Sequence, residues 1–116
     1  MSGLIGYPQQ LWLVVEPMDL RRGIDGLSLW IQEVLGEAPC AGSGFIFHNR
    51  SGSRLKVLVW DGNGVWLGQR RLHRGRFVVP RLRDRCLTLS RDEWAWLIAG
   101  VDWQRCMALP QSDLQV

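Results

Sequence analysis

Three carboxylates, Asp19, Asp61 and Glu93, are the residues of this 116-residue chain that most readily suggest catalysis, since phosphoryl transfer commonly uses acidic side chains to clamp two metal ions. Each has a simpler local role. Asp19 precedes a helical pattern as a cap, Asp61 opens a tight turn, and Glu93 completes a capping box with Ser90. His48 and His73 stand far apart with no cysteine or acidic neighbour, which makes a poor metal site. Gly62-Asn63-Gly64 with Gly68 brushes against a dinucleotide fingerprint, but it joins strand to strand and not strand to helix. The reading is therefore no catalytic residue, no metal and no cofactor.

Charge is the stronger signal. The 14 basic residues are all arginine except Lys56, and the guanidinium group forks onto phosphates and stacks on flat faces where lysine does not. A genome rich in G and C would produce the same bias without any function, so position matters more than number. Residues 50–85 hold ten basic and two acidic side chains, a local +8, while the remainder carries −5, giving the overall +3. Cations gathered in this way repel one another unless a polyanion is meant to face them. The plainer alternative is a solvated strand face whose arginines pair with acidic helices of the same fold. The candidate nucleic-acid-binding residues are Arg50, Arg54, Lys56, Arg70, Arg71, His73, Arg74 and Arg76.

Seven tryptophans are many for this length. Trp30 and Trp94 lie in helical stripes and read as core, whereas Trp60 and Trp66 flank a turn and are the candidates for a partner contact or base stacking. The three cysteines, Cys40, Cys86 and Cys106, form no C-x-x-C pair and read as reduced, mostly buried thiols. No apolar run approaches the roughly 20 residues that span a bilayer, and Met1-Ser2-Gly3-Leu4-Ile5 lacks a signal-peptide layout, so a cytoplasmic protein is expected.

The elements that must position these residues follow from period and punctuation. Leu11 to Val15 is an apolar run stopped at Pro17, and Leu20, Ile24, Leu27, Ile31, Val34 and Leu35 keep helical spacing up to Gly36. Gly23 and Gly26 weaken the first turns, so either the helix starts late or a neighbour comes close. Gly44–Asn49, Arg54–Trp60 and Val65–Leu72 read as strands, with Asp61-Gly62-Asn63-Gly64 as a hairpin turn. Short strands at Phe77–Val79 and Cys86–Leu89 precede a helix opened by Ser90-Arg91-Asp92-Glu93. The fold class is α+β: one domain over 1–116, core at about 6–103 and a loose tail at 104–116, with an antiparallel sheet of about five strands covered by two amphipathic helices.

Three blocks carry a family resemblance: Met18-Asp19-Leu20-Arg21-Arg22-Gly23-Ile24-Asp25-Gly26-Leu27, Lys56-Val57-Leu58-Val59-Trp60-Asp61-Gly62-Asn63-Gly64-Val65-Trp66-Leu67, and Arg71-Leu72-His73-Arg74-Gly75-Arg76-Phe77. They resemble the TnpB-type accessory protein, the second open reading frame product, of the insertion-sequence-66 transposon group. The resemblance implies a non-catalytic partner in DNA transposition, acting beside a separate transposase that carries the acidic catalytic residues. DNA and the cognate transposase are then the expected partners, with the nucleoid as location when DNA is bound and self-association left open. A protein adaptor that docks on the transposase without touching DNA is the alternative.

Overall fold

A computed structural model describes residues 8–36, 39–81 and 83–101. The tail expected from Gln104, Cys106 within it, and the outermost residues of the expected core lie outside the described residues. The elements are β1 (Gln10–Val14), α1 (Ile24–Leu35), β2 (Ser43–His48), β3 (Arg54–Trp60), β4 (Val65–Arg71), β5 (Cys86–Thr88) and α2 (Arg91–Ala99). They form one five-stranded sheet in the order β4-β3-β2-β1-β5. Among the described residues no helix is long and apolar enough to cross a membrane.

The sheet is antiparallel at every pair but one. β2, β3 and β4 form a meander, and β1 pairs antiparallel with β5. β1 and β2 run parallel, Leu11 beside Gly44 and Leu13 beside Ile46, because α1 carries the chain over the sheet between them. That crossover also decides the layering. Leu27 and Ile31 of α1 bury against Val14, Phe45, Phe47 and Leu58 on one face, while Leu97 of α2 buries against Leu11, Leu13, Ile46 and Leu55 on the other. The helices thus cover opposite faces, where hairpins alone would bury only one. Fully burying side chains such as Leu58 on the α1 face and Leu55 on the α2 face contributes about 1.5–3 kcal/mol each, which ties the central strands to both helices.

Two expected local features are corrected. Asp19 does not cap α1: its Oδ1 accepts the Arg21 backbone N–H at 3.0 Å, and its carboxylate holds the Arg21 guanidinium at 2.7 Å. The helix starts late instead, with Gly23 in the N-cap position. Phe77–Val79 is not a strand either. The Phe77 N–H donates to Gly52 O at 2.8 Å, and the segment then crosses the α2 face with Phe77 buried, so its backbone is held by a turn and not by a ladder. Ser90 and Glu93 make the full capping box, and Gly36 and Gly100 end their helices in the left-handed conformation. Cys86 is half-buried, and burial pushes its thiol pKa up, whereas Cys40 is exposed, unlike the buried thiol expected there.

Candidate nucleic-acid interface

The turn between β2 and β3 is built around Asn49. Its Oδ1 accepts the backbone N–H groups of Ser53 at 3.0 Å and Arg54 at 3.1 Å, and its Nδ2 donates to Ser53 Oγ at 3.0 Å. Gly52 takes a φ of +73° there, and a Cβ on it would stand 3.3 Å from Phe77 O and from the Arg76 Cβ. A side chain at that position would push the two segments apart. Ser53 O and Gly52 O accept the N–H groups of Leu72 and Phe77, so the chain leaving β4 is laced to this turn. The lacing brings His73, Arg74 and Arg76 to the same end of the sheet as Arg50.

Register adds two more. Arg54 of β3 lies directly opposite Arg71 of β4 on the α1 face. Their Cα atoms are therefore about 5 Å apart, and two like charges at such positions destabilise a sheet by about 0.2–1 kcal/mol. Beside Arg54, a cleft of about 460 Å³ is lined by Arg21, Arg50 and Arg54 as well as by Asp19. Asp19 is committed to Arg21, whose guanidinium hydrogen bond holds the carboxyl well below the usual carboxylate range. Arg21 and Arg22 were not among the residues singled out by charge counting, since they precede the basic stretch in sequence.

Of the eight candidate residues, two are bonded within the fold. Lys56 Nζ donates to Arg22 O at 3.0 Å, and Arg70 Nε donates to Ile98 O at 2.7 Å near the C-terminal end of α2. The other six, Arg50, Arg54, Arg71, His73, Arg74 and Arg76, are exposed. Among the described residues Arg21 pairs with Asp19 and Arg85 with Glu16, and none of the six takes part in either ion pair. The cluster rings one end of the sheet; it does not tile one face. Neither helix adds to it, since α1 carries Asp25 and Glu33 and no basic residue, and α2 carries Arg91 beside Asp92 and Glu93.

The opposite end of the β3–β4 hairpin is closed by Asp61. Its carboxylate accepts the N–H groups of Asn63 at 2.9 Å and Gly64 at 2.8 Å and the Trp66 indole N–H at 2.8 Å, and these bonds, the Asn63 one foremost, lower its pKa. Trp60 and Trp66 do not share a patch. Trp60 is half-buried on the α1 face, edge-on to Phe45 at 6.0 Å, while Trp66 is exposed on the α2 face opposite Val59. Trp30 packs edge-on to Phe47, and Trp94 packs against the α2-face core. Glu93 is occupied in its capping box, and His48 is buried with Nε2 at 2.8 Å from Val15 O. Among the described residues no three His, Cys, Asp or Glu side chains gather as metal ligands would.

An arrangement of exposed guanidinium groups of this kind can receive an anionic surface. Two relatives are similar over most of the chain. An uncharacterized protein of Sinorhizobium fredii, y4hO, is 39% identical over 99 residues, covering 85% of this chain and 86% of the relative. A second from the same organism, y4jC, is 34% identical over 101 residues, covering 87% and 86%. No solved structure matches the chain. The family described as IS66 Orf2 like protein matches residues 9–108, a span that takes in all three sequence blocks, and the chain belongs to that family.

Proposed function

We propose that this chain is a non-catalytic accessory protein of insertion-sequence transposition that grips duplex DNA, alone or within a transposase–DNA complex, by its phosphates. Membership of the IS66 Orf2-like family supports the accessory role. The observation that carries DNA contact is the pair Arg54 and Arg71, set directly opposite one another and exposed, neither in an ion pair with a carboxylate among the described residues. Among the described residues no carboxylate is paired with either to offset their repulsion, and a phosphodiester placed between them would offset it. Arg50, Arg74 and Arg76 extend the contact around the end of the sheet; Lys56 and Arg70 contribute less, because each is drawn to a backbone carbonyl by a hydrogen bond within the fold. Neither helix presents a basic face to a groove, so the backbone is gripped and little sequence is read. The protein then works in the cytoplasm, at the nucleoid while DNA is bound.

Anisotropy titration of labelled duplex over a range of salt tests this. With about five phosphates contacted, log affinity falls against log salt with a slope near −4 to −5. A flat slope, together with nuclease-resistant co-purification with the transposase, assigns the arginines to an acidic protein surface and makes the chain a protein adaptor.

A further inference from the structure

Among the described residues β4 bonds to β3 on one side and is the outermost strand on the other. The bonds that bracket it, Asp61 N–H to Gly64 O at 3.1 Å and Leu72 N–H to Ser53 O at 2.9 Å, set the alternation between them. In an antiparallel ladder bonded pairs recur at every second residue. Trp66, Gly68 and Arg70 therefore commit their backbone groups to β3, and Val65, Leu67, Gln69 and Arg71 aim theirs outward. Such an edge is a template for another strand.

Two further observations lie on the same edge. Trp66 and Leu67 are large apolar side chains left 37% and 36% exposed. Gly68 sits at the middle of the seven-residue strand without a left-handed φ, and a Cβ built on it would meet nothing within 4 Å. Nothing among the described residues requires a glycine there. A glycine inside a strand weakens it, and an open one marks where another backbone or side chain comes close.

We propose that the outer edge of β4 pairs antiparallel with the same edge of a second copy, about a two-fold axis at Gly68. Charge selects this arrangement, because parallel pairing would set Arg70 and Arg71 beside their own copies. The two-fold register instead places Val65 opposite Arg71, Trp66 opposite Arg70 and Leu67 opposite Gln69. All four outward-facing residues of each strand then find partners. On the α2 face, each Trp66 indole, fixed by its bond to Asp61, meets the Arg70 guanidinium of the other copy, itself steadied by Ile98 O. The paired glycines leave a slot at the axis between these two contacts. An interface confined to a strand edge is small, so the dimer forms in the micromolar range.

The test uses the full chain without nucleic acid, so it stands apart from the DNA reading. Light scattering over a concentration series should show monomers passing to dimers. Register is read by disulfide capture, with Cys40, Cys86 and Cys106 replaced by serine. Directly opposite residues of a bonded pair lie about 5.5 Å apart at Cα, within reach of a disulfide. A mixture of Leu67→Cys and Gln69→Cys chains should cross-link under mild oxidation far faster than either chain alone. Gln69→Pro removes an outward N–H without touching the β3 ladder and should weaken self-association about tenfold or more. The proposal is overturned by a chain that remains monomeric at high micromolar concentration, by a dimer indifferent to Gln69→Pro, or by single-variant chains that cross-link as fast as the mixture.

Discussion

At one end of the β3–β4 hairpin a single carboxylate, Asp61, takes three hydrogen bonds, and at the other Arg54 and Arg71 face each other with none between them. The same two strands supply both ends. The Asp61 turn is a closed arrangement in which the carboxylate is bonded to three donors of its own hairpin. The arginine end is open. Polar groups that cost stability and gain nothing inside a fold are retained for something outside it. The contrast separates a region that holds the molecule together from one that the molecule holds out to a partner.

The comparison breaks first at the open end. Replacing Arg50, Arg54 and Arg71 together by alanine should lower duplex affinity on the order of a hundredfold and reduce the salt slope by about 3, with thermal stability unchanged or raised. A triple variant that loses stability and keeps its affinity would place these arginines with the framework. At the closed end the expectation reverses: Asp61→Asn lowers Tm and leaves DNA affinity alone. Since the Asp61 pKa is lowered from its ordinary value of 3.8, its contribution is present above about pH 4 and is lost as pH falls through the folded value. The acid limb of a Tm-against-pH curve should therefore flatten in Asp61→Asn.

Neighbouring arginines sharpen the contrast further. Arg70→Ala removes the donor to Ile98 O at the end of α2 and should cost about 0.5–1 kcal/mol in urea unfolding, with little change in DNA affinity. Arg71→Gln should do the opposite, weakening DNA binding while adding a few tenths of a kcal/mol by relieving the repulsion from Arg54. If both substitutions behave alike, the division between committed and free arginines is wrong.

Much of this was legible from local pattern. Alternation placed Leu55, Val57 and Val59 on one face of β3 and Leu58 and Trp60 on the other, and the turn and capping-box residues marked where elements begin. Pairing partners were not legible, because a strand's own period says nothing of which neighbour it joins; the parallel β1–β2 pair depends on where α1 lies. Arg70 and Arg71 look equivalent in sequence, and only the docking of α2 on one face of β4 distinguishes them. Asn49 was missed as the residue that shapes the basic turn, although an Asn before Arg50-Ser51-Gly52-Ser53 is a recognisable signal of side-chain bonding to backbone. Arg22, whose carbonyl receives Lys56, was missed because the two meet only in three dimensions.

The sheet order bears on how the polypeptide is made. Among the described strands β1 is the first to leave the ribosome, yet one of its two neighbours, β5, is the last. The β2–β3–β4 meander can assemble from near neighbours soon after synthesis, whereas the flank of β1 that β5 covers waits until β5 has been made. Any helper that shields nascent chains should therefore bind β1 in preference to the meander, and a ribosome stalled before Cys86 should display a species that aggregates through that strand.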